Sequence, residues 1–199
     1  MSKELEIEFK NLLTKEEYHR LSAFFGYTAD DAKEQINYYF DTADFLLRQQ
    51  KSALRIRKKK DGFECTLKTP AETGYYEITD QLTRKQAEEL IELRSFEAPE
   101  VAAALKEMGI LSRQLELLGN LTTHRIEFPY ENGLLVFDHS EYLDMEDFEM
   151  EYEVTDYAEG KKKFTSLLQD HGIPVRPTDK KIARFMTAAT EQPAKKIIE

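Results

Sequence analysis

Several segments of this chain alternate strictly between charged and apolar residues, and that period of two constrains the fold more than any other feature. In residues 4–10, Glu4, Glu6, Glu8 and Lys10 alternate with Leu5, Ile7 and Phe9. In 54–59, Arg55, Arg57 and Lys59 oppose Leu54 and Ile56, and in 63–68, Glu64, Thr66 and Lys68 oppose Phe63, Cys65 and Leu67. Further on, Thr123, Arg125 and Glu127 oppose Ile126 and Phe128, and Glu149, Glu151 and Glu153 oppose Phe148, Met150, Tyr152 and Val154. A side-chain period of two makes each segment a β-strand with one apolar and one charged face.

The stretches between them complete the outline. Residues 35–42, 74–80 and 133–142 read as further strands, with 120–130 carrying the Arg125 face, which gives about eight strands. Asp61-Gly62 and Asn132-Gly133 are hairpin turn signals. Thr14 with Glu17 forms a capping box for a helix that stops at Gly26, and Thr83 caps a helix over 84–94. Residues 98–108 form another helix. The C-terminal part, about 157–199, is helical, with one helix over 157–171 and another over 179–190 capped by Thr178. Successive hairpins imply an antiparallel sheet and an α+β class. No linker divides the chain, so residues 1–199 read as a single domain.

An antiparallel sheet with helices on its apolar face and water on the other produces such alternation routinely. A solvated face, however, mixes both signs, and here the signs are segregated. Same-face neighbours on a strand stand roughly 7 Å apart, so the three carboxylates of the first strand repel one another unless a cation bridges them. Eight strands suffice to close a barrel. If the charged faces point inward and the first and last strands meet, Glu6, Glu8, Glu149 and Glu151 form one acidic wall. Arg55, Arg57, Lys68 and Arg125 form a basic one. Carboxylate oxygens suit Mg2+ or Mn2+, and guanidinium forks suit phosphate oxygens. A polyphosphate carrying a divalent metal satisfies both walls, with Lys10 reaching a phosphate.

Composition excludes several alternatives. The net charge of −10 argues against general nucleic-acid binding. The one cysteine, Cys65, allows no intramolecular disulfide and reads as a core residue. The N-terminus lacks a signal-peptide pattern, and no run reaches the roughly 18 apolar residues of a membrane span. The expectation is a cytoplasmic protein without membrane partners.

These motifs, in this order, resemble the CYTH domain, the triphosphate tunnel metalloenzyme family. Glu6-Ile-Glu-Phe-Lys10 resembles its E-x-E-x-K signature. The segments 38–42, 54–57 and 66–68, the Arg125 strand, Asp138 in its strand, the acidic 148–153 strand and a late lysine motif at 179–185 follow in the family's order. The resemblance implies a closed eight-stranded antiparallel barrel with a charged lumen and helices outside. It implies a metal-dependent triphosphatase acting on inorganic triphosphate or another small organic triphosphate. Carried over, Glu6, Glu8, Glu149 and Glu151 hold Mg2+ or Mn2+, with Glu151 and Glu153 as the alternative register. Lys10, Arg55, Arg57, Lys68, Arg125 and Lys181 hold phosphates, and Asp138 with Lys10 serves catalysis, Asp138 near the metal or its water. A class IV-type adenylyl cyclase, or a polyphosphate- or nucleotide-binding module without turnover, are the competing functions.

Other residues carry less. His19, His124, His139 and His171 show no metal-ligand spacing, and Ser140 lacks a nucleophile elbow. Tyr39 and Phe40 read as strand core, and Lys58–Lys60 as a solvated strand end. Lys180 reads as exposed. Alternation leaves Glu77 equally suited to the lumen or to water.

Overall fold

The charged faces do converge, because the strands close on themselves. The computed structural model describes residues 3–191. Its strands are β1 (Lys3–Leu13), β2 (Lys33–Thr42), β3 (Ala53–Lys59), β4 (Gly62–Pro70), β5 (Tyr75–Leu82), β6 (Leu115–Tyr130), β7 (Gly133–Tyr142) and β8 (Met145–Val154). They pair in the order β1-β5-β4-β3-β2-β6-β7-β8 as a closed barrel, and every pairing is antiparallel.

Closure depends on β1 serving two partners. Its residues Lys3 to Glu6 pair with β5, and Ile7 to Leu13 pair with β8. Gly74, at φ +83°, lies against the Glu6 carbonyl at this handover, where a Cβ would collide with backbone. Only glycine combines that left-handed backbone with so close an approach.

Apolar outer faces are covered by helices on two sides. Leu54, Ile56, Cys65 and Leu67 pack beneath α3 (Arg84–Ile91) and α4 (Pro99–Glu107) through Leu90, Val101 and Leu105. Burial pushes the Cys65 thiol up, so it stays a neutral core group. Ile126, Phe137, Met150 and Tyr152 pack beneath α1 (Lys15–Phe24) and α5 (Tyr157–Asp170) through Leu21, Phe164 and Leu167. The expected capping boxes form. The Thr14 hydroxyl accepts from the Glu17 N–H at 3.2 Å and the Glu17 carboxylate accepts from the Thr14 N–H at 2.8 Å. Thr83 and Gln86 repeat the arrangement.

The last helix, α6 (Lys181–Glu191), lies elsewhere. Its Phe185 and Ala188 pack on Tyr39, Leu121 and Tyr142, which occupy lumen-facing positions near one end of the barrel. That end is stoppered by α6. The Phe185 ring occupies the space a side chain at Gly119 would need, beside the bulge where the β2–β6 register shifts between Tyr39 and Phe40. The chain is led there by Asn11, on the outer face of β1. Its Oδ1 accepts from the Arg176 N–H at 2.6 Å and its Nδ2 donates to the Pro174 carbonyl at 3.1 Å.

Several boundaries differ from the sequence reading. β1 continues to Leu13, β6 begins at Leu115 rather than 120, and α3 stops at Ile91. A short helix, α2 (Leu46–Gln49), was not foreseen. Pairing of Lys59 with Gly62 and of Tyr130 with Gly133 makes Lys60-Asp61 and Glu131-Asn132 the hairpin loops. The left-handed position is Glu131, φ +49°. α6 starts at Lys181 rather than 179, and the Thr178 hydroxyl accepts from Arg184 at 2.8 Å. Residues 192–199 of the expected helical end lie outside the described residues.

Candidate active site

The barrel encloses a cavity of about 530 Å3 whose lining includes Glu6, Glu8, Lys10, Arg55, Arg57, Lys68, Arg125, Glu151, Glu153 and Lys181. β1 and β8 are neighbours, so the acidic strands form one wall. Glu8 stands directly opposite Glu153, and Lys10 opposite Glu151. Like charges directly opposite on an antiparallel pair are destabilising. Glu153 responds: burial, with Glu6, Glu151 and Glu8 around it, pushes its carboxyl up to about 7 against the pull of Arg125. Glu6 is likewise raised, by burial and by Glu8. Glu8 is held down despite burial and Glu151, because Lys10 at 2.8 Å and Lys68 at 3.4 Å attend it.

The basic wall is narrower than its four members imply. β3 and β4 are adjacent and carry Arg55, Arg57 and Lys68. Burial, with Arg55 and Arg125 nearby, lowers Arg57 to about 10. Its Nε donates to Asn37 Oδ1 at 2.8 Å, while Glu64 lies 3.8 Å away. Arg55 reaches Glu77 only at 3.8 Å. The other two cations stand at the seams between walls. Lys68 pairs with Glu6 and Glu8, and Arg125 pairs with Asp138 and Glu151.

Behind Arg125, at the end closed by α6, a second network is tightly paired. Asp138 is fully buried. It accepts from Arg125 Nε at 2.8 Å and Nη2 at 2.6 Å, and from Lys181 Nζ at 2.9 Å. These cations hold its carboxyl below the usual range against burial. Lys181 also reaches Glu149 at 2.8 Å and Glu151 at 2.6 Å. Arg184 clamps Asp147 at 2.9 Å and Glu149 at 2.8 Å.

Of the residues singled out by sequence, Glu6, Glu8, Lys10, Arg55, Arg57, Lys68, Arg125, Glu151 and Lys181 line one cavity. Asp138 and Glu149 sit behind it, engaged by Lys181 and a neighbouring arginine each. Glu77, left undecided by alternation, lines the cavity, as do Glu64 and Glu153. Phe40 and Tyr39 are both buried core residues, and Tyr39 also borders the cavity. Lys180 also lines the cavity, with Nζ 3.8 Å over the Tyr75 ring and donating to the Lys51 carbonyl at 2.9 Å. Adjacent lysines can both turn inward because Lys180 precedes the helix that Lys181 begins. Arg184 was missed; its only sequence signal is its place one turn after Lys180 and Lys181.

The donor set fits a hard divalent cation. Glu6, Glu8, Glu151 and Glu153 bring carboxylate oxygens to one wall, and an all-oxygen set suits Mg2+ or Mn2+. Among the described residues lining the cavity, Arg55 Nε is buried without a hydrogen-bond partner. Buried polar atoms are ordinarily satisfied, and an anion in the cavity is a group that Arg55 Nε could reach.

Comparison with known proteins agrees with this architecture. The family model described as the CYTH domain matches residues 4–186. A Bacillus subtilis (strain 168) protein named "Putative triphosphatase YjbK" is 43% identical over 187 residues, covering 93% of this chain and 96% of that protein. A Bacillus halodurans crystal structure, described as "a putative adenylate cyclase", is 42% identical and covers 93% of this chain and 99% of its own, with a TM-score of 0.89. A Hippeastrum structure, "Putative adenylyl cyclase HpAC1", whose description reports a dominant triphosphatase activity, is 24% identical with a TM-score of 0.77 and shares the fold. It covers 92% of this chain and 96% of its own.

Proposed function

This chain belongs to the CYTH domain family, and from that premise we propose that its lumen binds and hydrolyses a small triphosphate together with a divalent metal. Inorganic triphosphate is the first candidate, followed by small organic triphosphates. The observation that carries the reading is the facing of Arg55 and Arg57 on β3 against Glu8 and Glu153 across one enclosed cavity. The B. subtilis relative named for triphosphatase activity supports the same reaction.

Glu6, Glu8, Glu151 and Glu153 are the residues placed to hold Mg2+ or Mn2+, and Glu149 anchors Lys181 and Arg184 at their back. When bound, the metal would neutralise phosphate oxygens and polarise the bond to the leaving group. The protein's own groups supply the rest. Arg55, Arg57 and Lys68 fix the row of phosphates, and guanidiniums aimed at equatorial oxygens stabilise charge as the phosphoryl group loosens. Lys10 keeps its proton despite burial, because Glu8, Glu151 and Glu149 raise it. It therefore stays a cation beside the leaving phosphate. Asp138 fixes Arg125 and Lys181, and these hold Glu151 in place to orient the attacking water.

Phosphate release from a panel of inorganic, thiamine and nucleoside triphosphates with Mg2+ and Mn2+ tests the proposal. Hydrolysis of at least one is expected, and intact ligand after prolonged incubation with calorimetric binding would replace it with a binding module. The second reading, ATP cyclisation, is favoured by the description of the B. halodurans neighbour. Cyclic AMP among the products from ATP would decide for it.

A further inference from the structure

The histidines show no metal-ligand spacing along the sequence, yet the barrel's register brings two of them together outside the lumen. β6 and β7 place His124 directly opposite His139. β7 and β8 place Glu141 directly opposite Glu146. All four lie on the outer face, where His139 stacks on Phe148 with ring centroids 4.5 Å apart and planes 9° from parallel. The facing carboxylates repeat the like-charge opposition of Glu8 and Glu153, with imidazoles beside them in place of lysines.

We propose that His124, His139, Glu141 and Glu146 form a surface site for a borderline divalent transition metal of the zinc class, separate from the lumen. His139 Nε2 and one oxygen each from Glu141 and Glu146 lie within 4.8 Å of one another. His139 Nε2 lies 2.8 Å from Glu146 Oε2 and 3.8 Å from Glu141 Oε1, and His124 Nε2 stands outside that trio, 3.5 Å from the other Glu141 oxygen, Oε2. Tetrahedral zinc with bonds of about 2.0–2.2 Å spaces its ligand atoms roughly 3.3 Å apart, so the trio closes on a metal by small side-chain rotations, and a turn of the partly exposed His124 ring brings in a fourth donor. Mixed imidazole and carboxylate donors select zinc, nickel or copper over magnesium, which prefers oxygen alone. Two supports orient the donors. Stacking on Phe148 fixes the His139 ring. Lys15 holds Glu146 by Oε1 at 3.1 Å, leaving Oε2 turned toward His139. Such partners behind the ligands are what hold a metal site in shape.

Zinc titration of the full chain, with Mg2+ in excess to occupy the lumen, tests this. The side-chain resonances of His124 and His139 should move together at one equivalent of Zn2+, and those of His171 should not. Glu146→Gln and His124→Ala should each weaken this binding about tenfold or more, and His139→Ala should abolish it. If His139→Ala fails to fold through loss of its stacking, the other two variants decide. Imidazole signals unmoved by Zn2+, or parental Zn2+ affinity in both Glu146→Gln and His124→Ala, would overturn the site.

Discussion

The end of the lumen closed by α6 and the lumen's middle use the same residue types in opposite ways. At the closed end, Lys181, Arg184 and Arg125 meet Asp138, Asp147, Glu149 and Glu151 at 2.6 to 3.1 Å. In the middle, Arg55 and Arg57 stand 3.8 Å from their nearest carboxylates, and Arg125 stands 4.0 Å from Glu153. There Glu153 is pushed up to about 7 and Arg57 down to about 10, the signatures of charges lacking full compensation. The closed end is fully paired, whereas in the middle Arg55 and Arg57 keep no close carboxylate, although Lys10 and Lys68 beside them hold Glu8 and Glu6.

The largest expected effect breaks the middle without touching the end. Glu6→Gln with Glu8→Gln keeps volume and removes charge from the acidic wall. Turnover should fall on the order of 10³-fold, from the several kcal/mol a bound cation contributes to charge stabilisation. Unfolding in denaturant, measured without metal, should show lower stability, because Lys10 and Lys68 stay buried without the carboxylates that pair them. Parental turnover and metal titration in this double variant would remove both residues from the metal site.

The converse change is Lys181→Ala at the closed end. It leaves Asp138, Glu149 and Glu151 sharing fewer cations while still buried. Breaking one partner out of a buried network costs about 3–5 kcal/mol, read as a lower urea midpoint with an unchanged slope. If stability holds and only triphosphate affinity falls, Lys181 belongs to the phosphate path alone and the contrast between the two regions is wrong.

Arg57→Ala sharpens the comparison from the basic side. Loss of a charge-assisted hydrogen bond to phosphate should weaken triphosphate binding by about 1.5–3 kcal/mol, roughly tenfold to a hundredfold. Stability without ligand should change little or rise, since Arg55 and Arg125 lose a like-charged neighbour. Arg57→Lys should recover only part of the affinity, because a point charge replaces a fork. Calorimetry at physiological salt that finds parental affinity in both variants would place Arg57 outside the phosphate path.

The strands that carry charge were legible because a period of two survives in them, from Glu4–Lys10 to Phe148–Val154, whereas β7 opens on the unbroken apolar run Leu134–Phe137. Alternation alone does not say that β1 and β8 meet, the pairing on which the ring depends. What sequence did not reveal is how β1 divides its pairing at Glu6 and Ile7, since nothing local marks the handover except Gly74, which is distant in sequence. The split of the acidic strand was also hidden. Glu149, Glu151 and Glu153 are equivalent by alternation, and only α6 makes Glu149 an anchor and leaves Glu153 in the cavity. Lys180, Lys181 and Arg184 acquire their roles from where α6 docks, which Phe185, Gly119 and Asn11 determine across long stretches of chain. The same applies to His124 and His139, which only strand register brings together.

The smallest effect concerns the seam between the regions, at Lys180. Burial, with Lys68 and Lys10 nearby, lowers its ammonium to about 8 from an ordinary value of 10.5. The folded protein therefore favours the neutral amine relative to the unfolded chain. That preference contributes stability fully present above pH 10.5, and it is lost as pH falls through about 8. Lys180→Gln, which removes the charge, should make the ligand-free protein more stable than the parent below pH 8, with the gap closing as pH rises toward 10.5. Triphosphate should reverse the balance. A phosphate near Lys180 favours the ammonium, so parental affinity should decline as pH rises through about 8, and this step should be missing in Lys180→Gln. Thermal unfolding and calorimetry across pH 6.5 to 10 read both effects. Parallel stability curves for parent and variant, with identical affinity profiles, would return Lys180 to the solvated role its sequence context implied.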